Sequence, residues 1–204
     1  MRQLYLKIIR SIFNFLFFTC LGAQVKGVEN IPPVGGLIIA PNHMSNFDPP
    51  LVGTACWRMI CFMAKEELFK NPIIGKLIAL TGTFPIRRGR VDTAAIRVAY
   101  SILKSGGVVG IFPEGTRSTD GQIGIFHEGM AAIAIKTGVP IVPTAVIGTR
   151  TLPKKNGPII VAFGEPIRAK SRKVTKEMVA EINEEVKSAI VKMINQYEGD
   201  RHGN

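Results

Sequence analysis

From Gly35 onward the chain repeats one alternation, in which a short run of apolar residues is followed by a polar turn and a longer stretch with apolar positions three or four apart. A hydrophobic period that switches in this way confines the chain to an α/β domain with a mixed, largely parallel sheet flanked by helices. The expected strands are Leu37–Ala40, Met59–Ala64, Thr83–Ile86, Val108–Phe112, Ile141–Ile147 and Ile159–Phe163. Helices are expected over 49–57, 71–80, 92–105 and 127–137, the third opened by Asp92 and closed by Gly106-Gly107. A last helix, about 174–197, aligns Val174, Met178, Ile182, Val186, Ile190 and Met193 on one face, which marks it for packing. No repeat or linker divides the 204 residues, enough to bury a core without staples. The three cysteines form no CxxC and read as reduced thiols of a cytosol-facing protein.

Charge narrows the partner. Lys and Arg number 26 against 15 Asp and Glu, a formal net charge of +11. Such an excess calls for nucleic acid, an anionic membrane or a phosphorylated substrate. The excess concentrates in residues 58–104, which hold nine basic and three acidic side chains and the run Arg87-Arg88-Gly89-Arg90. The absence of a basic tail or Lys-rich arm argues against nucleic acid.

Residues 4–25 are apolar but interrupted by Lys7, Arg10, Ser11 and Asn14. On a helix those four form one stripe, opposite Ile8, Ile9, Ile12, Phe13, Leu16 and Phe17. The longest charge-free stretch, Ser11 to Val25, has 15 residues. That is roughly 22 Å of helix against a ~30 Å hydrocarbon core. An amphipathic helix in the membrane interface, with Lys7 and Arg10 near lipid phosphates, fits this length best. A core helix and a cleaved signal peptide are the alternatives, the second lacking an A-x-A-like site. The expected division is a membrane-associating helix over 1–24 and a catalytic-sized domain over 25–204.

Three polar turns stand directly after expected strands, where open α/β sheets build their sites. In Asn42-His43-Met44-Ser45-Asn46-Phe47-Asp48, the spacing of His43 and Asp48 requires a loop that curls the carboxylate back to the imidazole. Pro49 bars helical backbone at Asp48 and suits a first helical turn, so Asp48 is expected as an N-cap. A His fixed by a carboxylate is a better base at its other nitrogen. A purely structural loop accounts for the same spacing. Phe112-Pro113-Glu114-Gly115-Thr116-Arg117-Ser118 gathers a carboxylate, a glycine, a hydroxyl and a guanidinium, and Arg117 suits a phosphate or carboxylate. It is either an anion site or a polar turn with a local Glu–Arg pair. Gly82 to Arg90 is a second candidate anion site or a solvated basic face. No Walker loop, Gly-x-Ser-x-Gly elbow or metal-ligand cluster is present.

In this order the segments resemble the glycerolipid acyltransferase family, and within it the lysophosphatidate acyltransferases. Asn42-His43-x4-Asp48 is similar to the family's catalytic motif, Gly82 to Gly89 to its second block with Arg88 at the basic position, and Phe112 to Ser118 to its third. Val139-Pro140-Ile141-Val142-Pro143 resembles the fourth block, and Ala64-Lys65-Glu66-Glu67-Leu68 a segment whose lysine is associated with substrate phosphate. The resemblance runs from about 25 to 165. Two positions depart from it: Arg87 stands where an acidic or polar residue is common, and His127 where Phe-Lys-x-Gly is usual.

The resemblance implies a glycerol-3-phosphate acyltransferase-like fold and acyl transfer from an acyl thioester to the 2-hydroxyl of lysophosphatidate. His43 would be the general base and Asp48 its orienting partner, with no acyl-enzyme. Lys65, Arg88 and Arg117 would take the substrate phosphate. Gly115, Thr116 and nearby backbone N–H groups would position substrate or the tetrahedral oxyanion, and Glu114 would orient Arg117 or a glycerol hydroxyl. The implied donor is acyl carrier protein or acyl-CoA, with no cofactor and no metal. The implied place is an anionic membrane surface at its cytoplasmic face. Glycerol 3-phosphate or another lysophospholipid as acceptor, and a non-catalytic basic membrane-binding protein, are the competing readings.

Overall fold

A strand buried on both faces is apolar at every position rather than at alternate ones. Leu37–Pro41 and Ile141–Ile147 are buried at every residue, so both lie inside the sheet with layers on each side. The computed structural model describes residues 2–87, 89, 91–153 and 157–199. Among these residues seven strands form one sheet: β1 (Gln24–Lys26), β2 (Leu37–Pro41), β3 (Ile60–Lys65), β4 (Phe84–Ile86), β5 (Val108–Gly110), β6 (Ile141–Ile147) and β7 (Ile160–Phe163). Their order is β1-β7-β6-β2-β5-β3-β4, parallel throughout except for the antiparallel pair β6–β7. The fold class expected from the alternating pattern is the one observed.

Among the described residues six α-helices accompany the sheet: α1 (Arg2–Asn14), α2 (Asp48–Ala55), α3 (Pro72–Leu80), α4 (Thr93–Lys104), α5 (Glu128–Thr137) and α6 (Lys176–Gly199). Asn71 caps α3 by accepting the N–H groups of Ile73 and Ile74, and Asp92 caps α4 through those of Ala94 and Ala95. Ile38 and Ala40 of β2 point into a core shared with α4, α5 and α6. Leu37 and Ile39 point the other way, onto Leu51 and Val52 of α2 and onto Phe17.

This topology creates a crevice. The connection from β2 passes through α2 to β3, on the far side of β5, while that from β5 passes through α5 to β6, on the far side of β2. Right-handed crossovers running in opposite directions lie on opposite faces. The carboxyl ends of the neighbours β2 and β5 are therefore where the two layers part, the position at which α/β sheets open a binding crevice.

The amino end departs from the expected single helix over 4–25. Helix α1 ends at Asn14, Phe15–Cys20 forms a π-helical turn, and the chain then enters β1 beside β7. Gly22, at φ +61°, makes the turn out of the helix. Phe17 is fully buried in the core beside β2, with Phe13, Phe18 and Leu21 packed around it. Arg10 does not face outward with Lys7. Its guanidinium donates to the carbonyls of Thr54 (3.1 Å) and Cys56 (2.7 Å), where α2 ends and carbonyls lack intrahelical donors. Lys7, Ser11 and Asn14 are exposed as expected, and beside them Leu4, Ile8, Ile12 and Phe15 are each at least half exposed. Among the described residues no helix is long and apolar enough to cross a membrane. Part of the basic excess is likewise structural, since Arg58 donates to the carbonyls of Pro32, Gly35 and Gly106.

Candidate active site

His43 follows β2 by two residues. Asn42 continues the β2–β6 ladder by donating its N–H to Thr144 O, and its side-chain amide bridges the N–H and carbonyl of Val146. The chain then turns away. Helix α2 begins at Asp48, and Pro49 and Pro50 fill its next two positions, which have no N–H to offer a cap. The Asp48 side chain is therefore not the expected N-cap and turns back into the loop. Its Oδ2 accepts the N–H groups of Met44 and Ser45, each at 2.7 Å, and lies 2.9 Å from His43 Nδ1. Its Oδ1 accepts the Thr149 hydroxyl at 2.6 Å.

Asp48 and Thr149 are fully buried and His43 is 8% exposed. Two backbone N–H groups and a hydroxyl donate to the carboxylate. An imidazole nitrogen beside such an acceptor favours the tautomer that carries its proton there, with the other nitrogen open to accept one. The ring is clamped from below by Phe112, with centroids 4.1 Å apart, and Phe112 stacks in turn on Phe62 at 5.7 Å. Gly110 makes room for that column, because a methyl group there would lie 2.3 Å from Phe62 Cδ1.

The turn after β5 completes the site. Glu114 is buried, and its two oxygens accept the N–H of His43 (2.8 Å) and the N–H of Gly124 (2.9 Å). Ser118 returns the tie by donating its N–H to His43 O at 2.8 Å. Glu114 and Ser118 also line a cleft of about 330 Å³ together with Thr116, Arg117, Asp120 and His127. Asp120 is held below the usual carboxylate range by the N–H of Gln122 and the Ser118 hydroxyl, with Arg150 adding to the effect. Arg117 is exposed and makes no ion pair among the described residues. The arrangement places a buried His–Asp pair against the turn whose Glu114 and Ser118 line a cleft with Arg117.

A sequence profile of the Acyltransferase family matches residues 22–147, a span that includes both turns. The chain belongs to the acyltransferase family. It is 31% identical over 180 residues to the 1-acyl-sn-glycerol-3-phosphate acyltransferase of Bacillus subtilis, covering 86% of this chain and 89% of that one. It is 34% identical over 146 residues to the chloroplastic enzyme of the same name, BAT2, of Brassica napus. That match takes in 70% of this chain and 41% of the plant protein, so the chain spans less than half the length of such relatives. The crystal structure of the 1-acyl-sn-glycerophosphate (LPA) acyltransferase PlsC from Thermotoga maritima superposes with a TM-score of 0.74 at 34% identity, covering 94% of this chain and 80% of that one.

Within this chain the site residues expected from sequence fall into three groups. His43, Asp48, Glu114, Gly115, Thr116 and Arg117 come together at the carboxyl ends of β2 and β5. Of the two partners left open for Glu114, Arg117 or a glycerol hydroxyl, Arg117 is not the one it meets, and its buried carboxylate accepts two backbone N–H groups. Lys65 closes β3, exposed and 3.8 Å from Glu67, beside an Arg87–Glu66 pair at 3.1 Å. Arg88 lies outside the described residues. Thr149 was not anticipated. The signal available for it is a hydroxyl just past the strand β6, after Gly148 at φ +81°.

Proposed function

We propose that this chain transfers a fatty acyl group from an acyl thioester, acyl-CoA or acyl carrier protein, to the sn-2 hydroxyl of lysophosphatidate, yielding phosphatidate. The observation that carries this reading is the buried His43–Asp48–Thr149 chain, tied through Glu114 and Ser118 to the turn that bears Arg117, in a member of a family whose similar relatives bear that activity in their names. His43 Nε2 takes the hydroxyl proton as the oxygen attacks the thioester carbonyl carbon. The C–S bond then breaks and the departing sulfur takes the proton back from the imidazolium. Asp48 orients the ring and stabilises its charged form, as in other His–Asp pairs. Arg117, with Lys65 and Arg88, holds the acceptor phosphate. Gly115, Thr116 and neighbouring N–H groups position the substrate and the tetrahedral oxyanion.

Residues 1–24 serve as the membrane-associating helix and 25–204 as the acyltransferase domain, working on the cytoplasmic face of an anionic membrane. The apolar stripe Leu4, Ile8, Ile12 and Phe15 supports this placement, with α1 lying in the interface. The test is phosphatidate formation from lysophosphatidate and acyl-CoA or acyl carrier protein in mixed micelles, comparing wild type with a folded His43→Ala. A positioned base contributes about 10²- to 10⁴-fold, and a loss of that size is expected. Full activity in the variant removes His43 from the mechanism, and turnover of glycerol 3-phosphate instead of lysophosphatidate reassigns the acceptor.

A further inference from the structure

The position at which this sequence departs from its family's Phe-Lys-x-Gly pattern lies on the wall of the cleft. His127 immediately precedes α5, and its backbone is tied from both sides. Its N–H donates to Pro113 O at 2.9 Å, and its carbonyl accepts from the Asn183 side-chain amide of α6 at 3.3 Å. The ring lies over Gly115. A methyl group built on Gly115 would come within 2.9 Å of His127 Cδ2 and 3.1 Å of Nε2. Gly115 also has φ +67°, a backbone that glycine adopts without strain. The glycine thus lets the imidazole edge sit against the Glu114-Gly115-Thr116-Arg117 turn, exposed and lining the same cleft as Arg117.

Charges of both signs surround that ring. From the turn after β5 come Arg117 and Glu114, the latter already engaged by two backbone N–H groups. From the next turn comes Asp120, tied to Ser118 and Gln122. Glu128 follows on α5, and on α6 the neutral contact Asn183 is flanked by Glu184, with Lys187 one turn further on. Arg117 lines the cleft with His127 and makes no ion pair among the described residues, and Arg150 lies against Gly121 beside Asp120.

We propose that His127 is an anion-binding residue of the acceptor site, its imidazolium sharing the acceptor's phosphate with Arg117. The proposal rests on the phosphate-bearing acceptor assigned above. Where a lysine would keep its charge at all physiological pH, a histidine ring can gain and lose one. Phosphate binding favours the charged ring, so binding and protonation are linked and affinity is expected to fall as the ring loses its proton with rising pH.

The deciding measurement follows the His127 ring proton by NMR from pH 5 to 8.5, with inorganic phosphate or with chloride at matched ionic strength. His127→Gln identifies the resonance. A titration midpoint raised by phosphate is expected, and an unmoved midpoint at saturating phosphate overturns the proposal whatever the enzyme turns over. The second arm measures KM for lysophosphatidate against pH in wild type, His127→Lys and His127→Gln, which share the substrate's own titration. Relative to His127→Lys, wild-type KM is expected to rise about three- to tenfold between pH 6 and 8, with the larger part of the change in KM and not in kcat. A ratio that stays constant with pH overturns the role of His127 on the lipid headgroup. A raised midpoint in a protein that does not acylate lysophosphatidate keeps the phosphate contact and refutes the acceptor assignment instead.

Discussion

Thr149 donates its hydroxyl to Asp48 Oδ1 at 2.6 Å across 101 residues of sequence, and both side chains are fully buried. The contact joins the end of β6 to the start of α2, so the carboxylate beside His43 is held both by its own loop and by the chain beyond β6. Oδ2 serves the loop and the imidazole, and Oδ1 serves Thr149 alone.

Thr149→Val keeps the shape and removes that donor. A buried carboxylate oxygen is left without a partner, which costs about 1–3 kcal/mol. Acyl transfer is expected to fall on the order of tenfold as Asp48 loses its fixed position. Thr149→Ser, which keeps the hydroxyl, restores most of both. Urea unfolding and initial rates on the three proteins measure the two effects, and a Thr149→Val protein equal to wild type in both removes the contact from the site.

Asp48→Asn separates charge from architecture. Its amide oxygen can accept the N–H groups of Met44 and Ser45 and the imidazole proton, while its NH2 faces Thr149, whose hydroxyl can turn to accept. The fold is expected to survive with a stability loss of about 1 kcal/mol. The anion opposite the imidazolium is gone, and turnover should drop by at least ~10²-fold. Equal losses of stability and activity would instead mark Asp48 as a loop brace only.

The α/β class, six of the seven strands and most helix boundaries were legible because apolar runs and caps such as Asn71 and Asp92 are local signals. The His–Asp loop and the Glu-Gly-Thr-Arg turn were legible as strand-end turns. That β2 and β5 would be neighbours was not, since strand order is set by long-range packing. For the same reason nothing local tied Thr149, a hydroxyl just past β6, to the His–Asp loop. The amino end was misread beyond Asn14 because a π-helical turn and a three-residue strand leave the apolar pattern almost unchanged. Arg10 was assigned outward from helical spacing alone, whereas the open carbonyls at the end of α2 drew it inward.

Glu114→Gln tests the brace between the two turns. Both carboxylate oxygens accept backbone N–H groups, from His43 and from Gly124. Glutamine supplies one acceptor and must set its NH2 against the other N–H. A loss of about 1–3 kcal/mol is expected, together with slower turnover as His43 shifts on Phe112. An unchanged melting temperature would show that the brace contributes nothing to stability.

The thiols give a test that needs no substrate. Burial pushes Cys56 above the ordinary thiol value of 9.0, and the Arg58 N–H and the charges of Arg10 and Arg58 oppose that shift without cancelling it. Reaction with alkylating agents goes through the thiolate. At pH 8 exposed Cys20 should label within minutes while Cys56 labels only as fast as the α2 end opens. The sign of the linkage follows: a folded pKa raised above the unfolded one adds stability that is fully present below pH 9.0 and is lost as pH rises through the folded value. Cys56→Ser removes this alkaline loss, and it also removes the Cys56 label seen in urea. Arg10→Ala is expected to speed Cys56 labelling in the folded protein, because the guanidinium that ties α1 to the Thr54 and Cys56 carbonyls is gone. Labelling of Cys56 as fast as Cys20 in the wild type would refute the buried environment on which both expectations stand.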